Sequence, residues 1–216
     1  MDGVRALASD PDVMIEANDI GAAALLAGRA HVIGPFVNVY NEGTLGFLTG
    51  QQACRVSLPW ELSSQTLAVL AKSSAVELEV QVFGRMPLAI SARCYHARLQ
   101  DLHKDGCQFV CASDPDGLNV DTIDGENFLA VNGTQTMSHT VCNLIGELEA
   151  LQKMGIQAFR LWPHWLDMVA VSEVFRDVLD GKRTAEDGRR QLATNVGFAT
   201  FSNGFYYDKE GVALVS

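Results

Sequence analysis

Three cysteines, Cys94, Cys107 and Cys111, share one stretch of the chain, with twelve residues between the first two and three between the second pair. Cys107 and Cys111 are close enough in sequence to chelate one centre. The segment between Cys94 and Cys107, YHARLQDLHKDG, is polar and turn-prone and can fold the first thiol back. Thiolates are negative, and zinc or an iron–sulfur cluster is the usual way to hold three of them together. Arg93, Arg98 and Lys104 lie nearby and can offset that charge. A complete 4Fe–4S site takes four ligands, generally four cysteines. The remaining thiols are poor candidates: Cys54 begins a strand, and Cys142 lies beside an apolar stripe and reads as core. Zinc is the rival, because His96 or His103 can complete a Cys3His set. The spacing lacks a tight Cys-x-x-Cys knuckle. Unrelated buried thiols are the bland alternative.

A second set of polar residues follows predicted strands. Asn38, Tyr40 and Asn41 can hydrogen-bond a polar ligand, although Asn is also a routine turn residue. Glu61, between a strand and a helix, can ligate, orient or deprotonate a substrate. It can equally complement a helix N-terminus, an effect worth about 0.3–1 kcal/mol. Gln135 can line the same pocket, and His164, after Pro163, is a weaker candidate. His31 reads as a satisfied strand histidine and His139 as an early helix residue, while Trp60, Trp162 and Trp165 read as packing groups. No Gly-x-Ser-x-Gly elbow, His-Glu-x-x-His helix or Gly-rich phosphate loop is present, so the residues give no chemical support to hydrolysis.

The elements that must position these residues alternate between strand-like and helix-like segments. Strands are predicted at 13–16, 31–34, 55–58, 77–83, 128–131 and 158–161. Asn18-Asp19 supplies N-cap chemistry for a helix ending at Gly28, and Ser63 or Ser64 caps another running to about Ala75. Pro35 to Asn41 reads as a turn-rich loop. Met137, Val141, Leu144, Leu148 and Leu151 fall on one helical stripe closed by Gly155, and Met168 to Val178 on another ended by Gly181. Residues 84–124 read as a loop-rich, cysteine-bearing insertion, and 182–216 as a tail that is polar and then aromatic. The expected fold is α/β: a single barrel-like βα domain over 1–216. In such a barrel the loops after strands build the active face. A closed eight-stranded barrel needs about 250 residues. About five or six strands therefore leave the barrel incomplete, short by about two or three units.

The chain has 216 residues, 48% of them hydrophobic and 19% charged, a globular balance. Lys plus Arg number 16 against 26 Asp plus Glu, giving a net charge of −10. That field disfavours duplex nucleic acid as a partner. No run approaches the roughly 18 apolar residues of a membrane span, and the N-terminus lacks the features of a secretory signal, so a cytoplasmic location is expected. Five cysteines cannot all pair within one chain.

Three blocks together, Ser91-Ala92-Arg93-Cys94, Cys107-x-x-x-Cys111 and Asn132-Gly133-x-Gln135-Thr136-Met137-Ser138, resemble the collagenase-like peptidase superfamily, peptidase family U32. Supporting matches are Ile15-Glu16-Ala17-Asn18-Asp19, Asn38-x-Tyr40-Asn41, Pro59-x-Glu61-Leu62-Ser63 and Asn203-Gly204-Phe205-Tyr206, so the likeness covers nearly the whole chain. The resemblance implies a βα-barrel-like fold, a 4Fe–4S cluster and a heterodimer with a UbiU-like sister protein. It also implies oxygen-independent hydroxylation of a ubiquinone precursor ring. Of the family's four cluster cysteines, three map onto Cys94, Cys107 and Cys111. The fourth lies in an N-terminal part, carrying the first βα units, that this sequence is expected to lack. Other readings stay open. One is a non-catalytic partner subunit with a structural cysteine metal site. The others are peptide hydrolysis, as the family label suggests, and RNA hydroxylation, known for related members but disfavoured by the acidic charge.

Overall fold

The computed structural model describes residues 2–197 and 199–215; Met1, Phe198 and Ser216, which fall within the expected 1–216 domain and 182–216 tail, lie outside the described residues. In chain order the elements are α1 (Asp2–Ala8), β1 (Glu16–Ala17), α2 (Ile20–Leu26), β2 (His31–Ile33), α3 (Glu42–Thr49) and β3 (Ala53–Ser57). Next come α4 (Ser64–Ser73), β4 (Glu77–Ile90), α5 (Tyr95–Leu99), β5 (Leu118–Asp121), β6 (Asn127–Asn132) and β7 (Gln135–Asn143). The last are α6 (Leu148–Met154), β8 (Ala158–Leu161), α7 (Met168–Leu179), α8 (Ala185–Asn195) and β9 (Phe201–Ser202). The chain divides into two compact units. One holds the described residues of Met1–Val82, Glu147–Arg160 and Phe205–Lys209; the other holds those of Phe83–Gly146, Leu161–Gly204 and Glu210–Ser216.

The first unit is a run of parallel βα pairs. β1, β2, β3 and the start of β4 pair in parallel, with Glu16, Val32, Arg55 and Glu77 aligned across one face and Ala17, Ile33, Val56 and Leu78 across the other. The second row is the core, buried with Leu26, Leu67 and Leu70 of the covering helices. Short polar side chains start those helices. The Asp19, Asn41 and Ser63 side chains accept the backbone N–H of Ala22, Thr44 and Thr66. Each such cap is worth about 1 kcal/mol. α3 has no counterpart in the sequence reading, because Gly43, Thr44, Gly46 and Thr49 are weak helix formers; Asn41 and the burial of Leu45 and Leu48 make the helix. At the start of this unit the Arg29 guanidinium donates to the carbonyls of Ala8 at 2.6 Å, Val13 at 2.6 Å and Asp10 at 3.3 Å. It ties α1 and the segment after it to the loop between α2 and β2.

The second unit is built on antiparallel pairing. β4 from Phe83 onward pairs with β7, β7 with β6, and β6 with β5, while β9 joins β7 in parallel. The β4–β7 register shifts around Pro87, whose missing N–H cannot serve a ladder. Gly84 has φ +109°, and a Cβ there would lie 2.5 Å from the Trp162 Cβ, so only glycine fits.

Four expectations are corrected. Met137 and Val141 belong to β7, not to a helix; α6 begins only at Leu148, although Gly155 does close it at φ +105°. Every β7 residue from Met137 to Asn143 is buried, so both faces are covered and the alternation that would mark a strand is hidden. His139 is accordingly a buried strand residue rather than an early helix residue. The 84–124 segment is more regular than a loop, carrying the end of β4, α5 and β5. The polar part of the tail is α8, capped by Thr184, with only Gly188 and Leu192 buried, too little apolar content to show as a stripe. The architecture is mixed α/β, and the parallel βα order of the first unit is the one a βα barrel uses. Among the described residues no helix is long and apolar enough to cross a membrane.

Candidate functional site

The cysteine segment lies wholly in the second unit, and its three thiols are free and half-buried. Cys94 is the N-cap of α5, its sulfur accepting the Ala97 N–H at 3.4 Å. Cys107 closes a short 3-10 turn, Lys104–Gly106, and Cys111 sits inside another, Val110–Ser113, which packs against α5. Between them Gln108 and Phe109 are both left-handed, each with φ 54°, and Phe109 is 79% exposed. Two successive non-glycine residues there store about 1–2 kcal/mol each. Arg93, Arg98 and Lys104 are exposed.

One turn fixes both stems of this segment. Asn132-Gly133-Thr134-Gln135 joins β6 to β7, with Gly133 at φ +60°. The Gly133 carbonyl accepts the Tyr95 N–H at 2.9 Å, and the Gly133 N–H donates to His96 Nδ1 at 3.1 Å. The Asn132 side chain donates to the Pro115 carbonyl at 3.0 Å and reaches the Asp114 carbonyl at 3.5 Å. His96 is buried, and its Nε2 faces Asp114 Oδ2 at 3.3 Å without hydrogen-bond geometry. Because Nδ1 accepts, Nε2 carries the proton of the neutral ring. Both nitrogens are therefore directed at protein groups, which weakens His96 as a zinc ligand. His103 lies exposed beside Asp105.

The donor type of Cys94, Cys107 and Cys111 suits a zinc or iron–sulfur centre, and their number is one short of a four-cysteine set. Among the described residues no group of three or more His, Cys, Asp or Glu is drawn together to hold a metal ion. Cys142 is buried on β7, as expected of core, and Cys54 is exposed, its thiol against the His31 carbonyl at 3.2 Å.

The first unit carries a charged row that periodicity alone does not single out. Arg160 hydrogen-bonds Glu16 and, at 2.5 Å, Glu79; Arg55 donates to Glu77 at 2.8 Å and approaches Glu79 at 3.6 Å. Asn18 also donates to Glu16, and a Cβ on Gly34 would collide with Asn18 and Glu16, so a bare backbone makes room for both. Burial would raise the Glu16 carboxyl, but the hydrogen bonds from Arg160 and Asn18 outweigh it and hold the group below the usual carboxylate range. Burial likewise works against the Arg160 charge, and Glu16 and Glu79 reverse that effect. The alternation of Glu77 and Glu79 with Leu78 and Val80 is legible in the sequence; the distant partners Glu16, Arg55 and Arg160 are not.

Of the polar loop candidates, the Tyr40 hydroxyl hydrogen-bonds Glu61, joining the loops after β2 and β3, and both side chains are exposed. Asn41 is occupied as the α3 cap, and Asn38 is left-handed at the end of the 3-10 turn Pro35–Val37. Gln135 opens β7 in the second unit, opposite Asn132 and Ile90. His164 is also in the second unit. Its Nδ1 lies 3.1 Å from Asp116 Oδ1, and its Nε2 accepts the Arg85 N–H at 3.0 Å. Asp116 Oδ1 also accepts the Trp165 N–H. Burial lowers the His164 pKa; Asp116 opposes the shift and Arg85 adds to it. With Nε2 turned to a backbone N–H, His164 is held as a structural group and not as a base aimed at a nucleophile.

No solved structure matches the chain. The model of Peptidase family U32 matches residues 10–215, spanning the charged row, the Tyr40–Glu61 pair and the cysteine segment, and the chain belongs to that family.

Proposed function

We propose that the protein is a UbiV-like member of its family: an iron–sulfur protein that works with a UbiU-like partner to hydroxylate a ubiquinone precursor ring without molecular oxygen. The observation that carries this reading is the cysteine segment, where three free thiols sit on short elements and the stems carrying Cys94 and Cys111 are fastened to a single turn. Cys94, Cys107 and Cys111 would hold the 4Fe–4S cluster, with a fourth ligand from outside this set. A cluster supplies one-electron transfer, and burial and hydrogen bonds to sulfur set its potential; the Ala97 N–H already points at the Cys94 sulfur. The left-handed pair Gln108-Phe109 supports the reading further, because strain of this kind collects at ligand sites. Anaerobic reconstitution with iron and sulfide tests it. Visible cluster absorbance with matching iron and sulfide contents is expected; uptake of zinc alone overturns it.

A second reading follows from Cys94 acting as a helix cap: the metal site is structural, and the chain is the non-catalytic partner. Cys94→Ser separates the two. Lost turnover with the UbiU-like complex intact supports a functional cluster, and loss of the complex supports a structural one.

A further inference from the structure

Resting on the cysteine-site reading above, we propose that His96, with Asp114, is the positioning clasp of that site. His96 lies two residues beyond Cys94, and Asp114 three beyond Cys111. The ring is buried, its Nδ1 held by the Gly133 N–H and its Nε2–H facing the Asp114 carboxylate. The stem carrying Cys94 and the stem carrying Cys111 thus meet across one imidazole, on the turn that also binds Tyr95 and Pro115. Among the described residues Cys107 has no comparable anchor: its segment holds the two left-handed residues, and His103 and Asp105 near it are exposed. The clasp therefore preorganises two thiols and leaves the third to close when the centre loads. His96 does not ligate; it acts through Cys94 and Cys111.

The test compares the full chain with His96→Phe, which removes both polar contacts; His96→Asn, which keeps an acceptor where Nδ1 stood; and Asp114→Ala, a half-exposed position that leaves the core untouched. The first arm needs no metal. Per-residue alkylation of the apo protein, read by mass spectrometry, should show Cys94 and Cys111 reacting faster in His96→Phe and Asp114→Ala, while Cys107 stays unchanged and His96→Asn restores Cys94. Equal rates in all four proteins overturn the clasp. The second arm reads iron retention against a chelator after reconstitution. His96→Phe should lose iron about 10–100-fold more readily, the usual effect of removing a group that orients a ligand. His96→Asn should recover most of that. Wild-type retention in His96→Phe overturns the clasp. A wild-type protein that takes up no iron overturns the iron–sulfur reading instead, and the alkylation arm still judges the clasp.

Discussion

Gly133 donates its backbone N–H to His96 Nδ1 at 3.1 Å across 37 residues of chain. This bond joins the two blocks that make the sequence most distinctive, the cysteine spacing and the Asn-Gly-x-Gln-Thr-Met-Ser run. The second block is the seat on which the first is mounted. Gly133 holds φ +60°, where a two-residue hairpin loop calls for glycine, and a Cβ added there would meet no atom within 4 Å, so substitution costs backbone conformation and nothing else. Gly133→Ala should lower stability by about 1–2 kcal/mol. The urea midpoint measures this, and an unchanged midpoint would show that the turn tolerates a side chain.

Phe109→Gly should act in the opposite direction. Its φ of 54° is a conformation glycine adopts freely, and its ring is largely in solvent, so little packing is lost. A gain of about 1 kcal/mol or less is expected once the greater freedom of glycine in the unfolded chain is deducted. Thermal unfolding of the apo protein reads it, and a clear loss of stability would mean that Phe109 packs in solution.

Arg160→Met should strand Glu16 and Glu79. Fully buried pairs broken from one side cost about 3–5 kcal/mol, and the partial exposure of Glu16 reduces this to about 2–3 kcal/mol. The Glu16 carboxyl is held below its ordinary value, so its contribution is present above the unfolded carboxylate pKa of about 4 and is lost as pH falls through the lower folded value. The variant should therefore show a shallower acid limb as well as a lower midpoint near neutrality. A parallel shift of the whole curve would assign the loss to packing.

His164 sets a second pH window. Burial lowers its pKa, and burial followed by Arg85 lowers that of His139. Both rings bind a proton more readily in the unfolded chain. Stability is therefore complete above the unfolded value of about 6.5 and declines as pH drops toward the folded values. Urea midpoints between about pH 7.5 and 5.5 should fall, and His164→Gln should flatten the trend while lowering the neutral midpoint. A slope identical to wild type would place the titration elsewhere.

The parallel strands and two of their helix caps are legible in the sequence because each obeys a local rule: Asp19 and Ser63 before apolar helices, and Leu78 and Val80 alternating with Glu77 and Glu79. Residues Met137 and Val141 mislead because their four-residue spacing imitates a helix where a strand is covered on both faces. The α8 segment escapes for the converse reason, since Thr184 and Asp187 build a cap over a helix with almost no apolar stripe. The cysteines are visible at once, but their supports are not. His96 reads as a ligand candidate because nothing local shows that its Nδ1 is spent on Gly133 and its Nε2 turned toward Asp114. Likewise Arg160 looks like an ordinary strand residue, because its partner Glu16 lies 144 positions away.

Arg29 gathers three carbonyl oxygens from a stretch that contributes little else to the sheet. Entry of the polypeptide into its first strand is thus governed from a single cationic knot, and cleavage between residues 9 and 14 becomes a gauge of whether that knot is tied. A protease that nicks there long before the domain melts would report fraying at the leading edge, independent of anything happening at the thiols.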